Sequence, residues 1–175
     1  MLALLYVGTA GGVEESLAGR WQIPFAAVQS GQLRGKAPWR AAGSLWKAGR
    51  GLAQARRLIA GFGPEVVFST GGYASAPVLA AARLSRVPIM IYLPDIEPGL
   101  TIKLMSRLAR RVAVSFDEAG RHFSARKVIV SGYPVRAGLM GQDRAAARRR
   151  LGLPADELVM LAFGGSQGAR SINRA

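Results

Sequence analysis

The sequence predicts an α/β fold built on a Rossmann-like parallel sheet, and three observations predict it. Short apolar runs alternate with helix-like segments along most of the chain. Runs such as Val87-Pro88-Ile89-Met90-Ile91-Tyr92-Leu93 are apolar throughout rather than at every second position, as in strands covered on both faces. Two runs break directly into glycine turns that open helices, at Thr70-Gly71-Gly72-Tyr73 and at Gly164-Gly165-Ser166-Gln167-Gly168. Such a turn brings bare backbone N–H groups to a helix N-terminus, a geometry suited to an anion or to a ligand that the backbone must approach closely.

In chain order, Leu2 to Val7 reads as a strand and Gly8 to Gly12 as a turn. Val13 to Ala18 follows as a short helix, with Glu14 and Glu15 in the first turn where the helix dipole favours them. Ile23 to Val28 is a second strand, and Ser30 to Lys36 a polar loop. Pro38 to Ala60 reads as a long helix: Leu45, Leu52 and Ile59 recur every seven residues, with Ala48 and Ala55 between them, giving a stripe that packs on a sheet. Gly43, Gly49 and Gly51 weaken this helix by roughly 1 kcal/mol each relative to alanine. Val66 to Ser69, Val87 to Leu93, Arg111 to Phe116 and Lys127 to Ser131 are further strands. The intervening helices reach to Leu84, run from Leu100 to Ala109, and span Asp117 to Phe123.

The composition changes after Arg136. Asp143 to Leu151 reads as a basic helix, with Asp143 as N-cap and Gly152 as stop. Leu158 to Phe163 reads as a new strand before the second glycine turn. Residues 1–141 are expected to be one domain and residues 142–175 the opening of another, with the first strand starting so abruptly that the chain is expected to be truncated at both ends.

Composition bounds the chemistry. The chain carries 24 basic and 10 acidic residues, a net charge of +14, and no acidic residue falls between Ser16 and Pro64. Such a surface attracts nucleic acid, anionic lipid or phosphorylated substrates. An arginine-rich proteome would account for the total without any partner. The absence of cysteine excludes disulfides and thiolate metal sites, and His122 is the single histidine, so no metal is expected. No apolar run reaches the roughly 18 residues that cross a bilayer. Trp39 and Trp46 lie one step round the long helix from the apolar stripe, beside Arg40, Lys47 and Arg50. Indoles interleaved with cations suit a lipid interface, although both indoles could equally fill a core.

Several candidate site residues follow strands, on the side where open α/β sheets bind ligands. Asp95 is the best placed of the carboxylates, ahead of Glu97 and Asp117. Arg136, in Gly132-Tyr133-Pro134-Val135-Arg136, could face a phosphate across a cleft. Gly165, Ser166 and Gln167 could contact phosphate or ribose oxygens, although the turn holding them is not a P-loop, because no Gly-Lys-Ser/Thr follows.

Taken together, Gly8-Thr9 with Glu14, Ser30-Gly31 with Leu33-Arg34-Gly35-Lys36, Gly71-Gly72-Tyr73-Ala74-Ser75, Gly99-Leu100-Thr101 with Lys103, Gly132-Tyr133-Pro134-Val135-Arg136 and Gly164-Gly165-Ser166-Gln167-Gly168-Ala169-Arg170 resemble the MurG family of glycosyltransferases in order and spacing. The resemblance covers essentially the whole chain. It implies half of a two-domain GT-B fold and an inverting, metal-independent hexosyltransferase without a cofactor. That enzyme moves N-acetylglucosamine from UDP-GlcNAc to undecaprenyl-linked lipid I, forming lipid II in peptidoglycan synthesis, and so serves cell wall biogenesis, cell shape and cell division.

Carried over by motif, Arg136, Gly165, Ser166, Gln167 and Asp95 fall on donor contacts. Thr70, Gly71, Gly72, Tyr73 and Ser75 fall near the acceptor pyrophosphate, and Trp39, Arg40, Trp46 and Lys47 on a patch facing an anionic membrane. The implied location is peripheral, on the cytoplasmic face of the bacterial cell membrane, with no nucleic acid partner. Two departures accompany the resemblance. The family's opening strand and its Thr-Gly-Gly-His loop have no counterpart before Met1, which leaves the catalytic base unassigned and predicts an inactive fragment. Tyr92-Leu93-Pro94-Asp95 stands where the family has His-Glu-Gln-Asn, putting a carboxylate in place of a donor-contacting amide. The alternatives are another GT-B transferase of lipids or sugars, or a basic nucleic-acid-binding module.

Overall fold

The computed structural model describes residues 2–29, 41–72 and 74–162, with the backbone alone over residues 41–48. These form two compact units, Met1–Tyr133 and Pro134–Ala175. In the first unit, strands β1 (Tyr6–Gly8), β2 (Phe25–Ala27), β3 (Val67–Ser69), β4 (Ile89–Leu93), β5 (Arg111–Val114) and β6 (Val128–Val130) alternate with helices α1 (Val13–Arg20), α2 (Ala41–Phe62), α3 (Ser75–Leu84) and α4 (Leu100–Met105). All strand pairs are parallel. One sheet holds β3-β4-β5-β6 in sequence order, and β1 and β2 pair as a separate two-stranded sheet.

The core lies on the larger sheet. Ile89, Ile91 and Leu93 of β4 and Val112 and Val114 of β5 are almost fully buried. The apolar runs thus sit in the two central strands, covered on both faces. Helix α2 packs on α3, with Ala55 and Ile59 of the predicted stripe buried and Leu52 half-buried beside them. Its described outer face presents Arg50, Arg56 and Arg57.

Gly51 corrects the expectation that each glycine merely weakens α2. A Cβ there would stand 2.0 Å from the carbonyl oxygen of Gln29. The helix therefore touches the chain leaving β2, and the Gln54 side chain accepts from the Gln29 amide at 2.9 Å. Only glycine permits that approach.

In the second unit the expected helix forms as α5 (Arg144–Arg150), with the Asp143 carboxylate accepting from the Ala146 amide. It ends in a Schellman motif: Leu153 N–H donates to Arg148 O and Gly152 N–H to Arg149 O, with Gly152 at φ +66°. The strand expected over Leu158–Phe163 does not form in its described part. Residues 158–162 lack strand structure, and Leu158 is 99% exposed. A strand is completed by a neighbour's ladder, and among the described residues no neighbouring strand pairs with this segment.

Candidate functional site

The carboxyl ends of β3 to β6 all open onto polar turns. After β3 the chain turns at Gly71 and Gly72, at φ +98° and +89°. Two successive positive φ values explain the paired glycines, since a side chain is strained at either. Gly71 has a second reason: a Cβ would lie 2.9 Å from the side chain of Ile102 on α4. The turn is fixed from within, because Gly71 N–H donates to Ser69 Oγ at 3.1 Å and Ser75 Oγ donates to Gly72 O at 2.7 Å. Helix α3 then starts at Ser75 with no side-chain cap, and Pro77 sits in its first turn, where the missing N–H costs nothing. The first-turn amides of such a helix have no intrahelical acceptor, which suits them to bind an anion.

Tyr92 closes the same end of the sheet. Its ring stacks against Phe68 at 6.5 Å. Its hydroxyl shares a 2.7 Å hydrogen bond with Ser115 Oγ and donates at 3.4 Å to Gly132 O. Both Tyr92 and Ser115 are buried. This bridge ties the ends of β4 and β5 to the segment after β6. Sequence reasoning did not assign Tyr92 or Ser115 a role. The available signal was a tyrosine ending an otherwise aliphatic strand, since a buried phenol needs a partner.

Of the predicted residues, Thr70, Gly71, Gly72 and Ser75 come together in the β3–α3 turn. Asp95 follows β4 at the same edge and is exposed. Nearby Glu97 pairs with Arg121 at 2.9 Å and faces His122 at 3.3 Å. Arg136 is exposed in the second unit, where it precedes the 3-10 turn Ala137–Leu139. Tyr73, Trp39, Arg40, Gly165, Ser166 and Gln167 lie outside the described residues, and the side chains of Trp46 and Lys47 are likewise outside them. Among the described residues no cluster of metal-binding side chains occurs, and no helix is long and apolar enough to cross a membrane.

Comparison with known proteins agrees with this architecture. Residues 2–114 match the glycosyltransferase family 28 N-terminal domain. A relative from Desulforudis audaxviator is 45% identical over 174 residues, and one from Roseiflexus is 42% identical over 190, each alignment covering 98% of this chain. Both relatives are named UDP-N-acetylglucosamine--N-acetylmuramyl-(pentapeptide) pyrophosphoryl-undecaprenol N-acetylglucosamine transferase. The chain spans 46% and 43% of their lengths, so it corresponds to about half of either. Among solved structures, MurG of Acinetobacter baumannii superposes with a TM-score of 0.61 at 25% identity, over 74% of this chain and 36% of that one. The Anabaena protein HepE, solved with UDP, shares the fold at a TM-score of 0.54 and 16% identity, over 85% of this chain and 42% of that one.

Proposed function

The chain belongs to glycosyltransferase family 28 through its N-terminal domain, and on that premise we propose that it is the acceptor-facing part of a transferase that moves N-acetylglucosamine from UDP-GlcNAc to lipid I, giving lipid II. The observation that carries this reading is the agreement of relatives 45% and 42% identical on one activity, over nearly the full length of this chain. The acceptor's 4-hydroxyl attacks the anomeric carbon of the sugar, and UDP leaves. The β3–α3 turn, with Thr70, Gly71, Gly72, Tyr73 and Ser75, receives the acceptor pyrophosphate through backbone N–H groups.

Residues 142–175 open the nucleotide-sugar domain. Arg136, Gly165, Ser166 and Gln167 meet the donor, the guanidinium balancing charge on the departing diphosphate without a metal. The Trp39, Arg40, Trp46 and Lys47 segment rests on anionic lipid at the cytoplasmic face of the cell membrane. Asp95 favours one second reading, a transferase with a different sugar donor. A carboxylate accepts hydrogen bonds from sugar hydroxyls but cannot donate as an amide does, and it adds negative charge near a diphosphate.

A chimera tests the proposal. This chain replaces the matched 174 residues of the Desulforudis relative, and the product is assayed with lipid I and radiolabelled UDP-GlcNAc. Lipid II formation is expected, with none from the 175 residues alone. A folded but inactive chimera, beside an active intact relative, overturns the assignment. Competition by other UDP-sugars separates the second reading, and retention on DNA in place of anionic vesicles would favour a nucleic-acid module.

A further inference from the structure

A cavity of about 200 Å³ lies between α4, the start of β5 and the 3-10 turns that lead to β6. Its lining includes Lys103 and Arg107 from α4 and the segment after it, His122, and Lys127. Val112 lies near the amino end of β5 and Lys127 just before β6, so this wall of the cavity faces away from the glycine turn. Its space is several times the roughly 30 Å³ share of one water.

Four basic residues converge there, and no carboxylate lines the wall. Lys103 and Arg107 are four positions apart, which brings them to one side of the helical segment. Lys127 Nζ reaches across to donate to Ser106 O at 3.2 Å and Arg107 O at 3.0 Å, the carbonyls ending that segment. An ammonium has three N–H donors, so one remains for a ligand. His122 is held at the rim: its Nε2 stands 3.3 Å from Arg121 Nε and 3.3 Å from Glu97 Oε2. The Glu97 carboxylate that faces His122 is already engaged by Arg121. Three permanent cations border one recess, so an anion seated in it is attracted by all three at once.

We propose that this cavity binds a phosphate group, presented either by a soluble phosphate or by the headgroup of an anionic phospholipid. The site stands apart from the acceptor turn, and its occupancy does not depend on the transferase reading.

The single histidine makes the test direct, because the ring protons of His122 have no other histidine signal to overlap. Inorganic phosphate is titrated into the chain at constant ionic strength while those resonances are followed by NMR, and binding is measured by calorimetry. Vesicles of phosphatidylcholine with and without phosphatidylglycerol form the second arm. The variant Lys103→Gln/Arg107→Gln is compared with Arg56→Gln/Arg57→Gln, which removes the same charge from the outer face of α2.

A saturable His122 shift with phosphate, weakened tenfold or more only in the first variant, supports a soluble phosphate ligand. Binding confined to phosphatidylglycerol vesicles, with the same variant pattern, supports the headgroup. An unmoved His122 together with no lipid-dependent binding overturns the proposal, and so does equal weakening in both variants. If a variant fails to fold, the unmodified chain still overturns the proposal when phosphate leaves His122 unmoved and phosphatidylglycerol vesicles do not bind.

Discussion

The two ends of the four-stranded sheet are made of different materials. At the carboxyl ends the chain continues through Thr70-Gly71-Gly72, Pro94-Asp95, Ser115-Phe116 and Ser131-Gly132, with no cation among them. At the amino ends it arrives through Arg86, Arg110-Arg111 and Arg126-Lys127, opposed only by Glu65 before β3. Arg83, Arg86 and Arg110 line a second recess there, of about 290 Å³. Charge alone would place the chemistry at the amino ends. The built geometry is at the carboxyl ends, where short side chains and backbone groups hold one another at 2.7–3.1 Å. An anion at that end must be met by fixed dipoles, whereas at the other end it is met by formal charge. Dipoles need exact placement to act, so substitutions should be felt more strongly at the carboxyl end.

The largest expected effect is at Gly71. Alanine there adds positive-φ strain and a contact with Ile102, together costing about 2–4 kcal/mol of stability. Gly72→Ala adds the strain alone, because nothing lies within 4 Å of its Cβ position, and should cost about 1–3 kcal/mol. Urea unfolding of the two variants therefore isolates the Ile102 contact. If Gly72→Ala is the more damaging, the turn is not held against α4 in the way described.

Tyr92→Phe comes next, at about 1–2 kcal/mol, because it leaves Ser115 Oγ with only the 3.4 Å contact to Leu93 O. Ser115→Ala should cost a similar amount, and the double variant should show a coupling on the order of 1 kcal/mol. Additive losses would mean that the hydroxyl pair does not join β4 to β5.

These two sites mark how far the sequence could be read. Alternation of apolar runs with helical stripes is local, so β1 to β6 and α1 to α5 were legible, and so was the glycine turn between β3 and α3. Tyr92 and Ser115 are 23 residues apart, and no local pattern announces their bond. Gly51 read as a weak point of α2 because its reason, the Gln29 carbonyl, belongs to another element. The cationic cavity was hidden likewise, its walls coming from α4, β5 and the segment before β6. The described part of the expected Leu158–Phe163 strand, residues 158–162, misled in the opposite direction: its composition is that of a strand, but a ladder needs a second segment paired beside it, and none is among the described residues.

The smallest expected effect lies at the amino end and has the opposite sign. Arg86 occupies the left-handed position that ends α3, at φ +59°, where Val87 N–H donates to Ala82 O and Arg86 N–H to Arg83 O. A side chain in that conformation costs about 1–2 kcal/mol. Glycine avoids this cost but loses about 0.4–1 kcal/mol through the freedom it gives the unfolded chain. Arg86→Gly should therefore stabilise the protein by about 0.5 kcal/mol in urea unfolding. Arg86 does not line the cavity of Lys103 and Lys127, so phosphate binding there should persist unchanged. A loss of stability on this substitution would mean that the Arg86 side chain makes contacts worth more than its strain. The amino end would then be as closely built as the carboxyl end, and the contrast between them would fail.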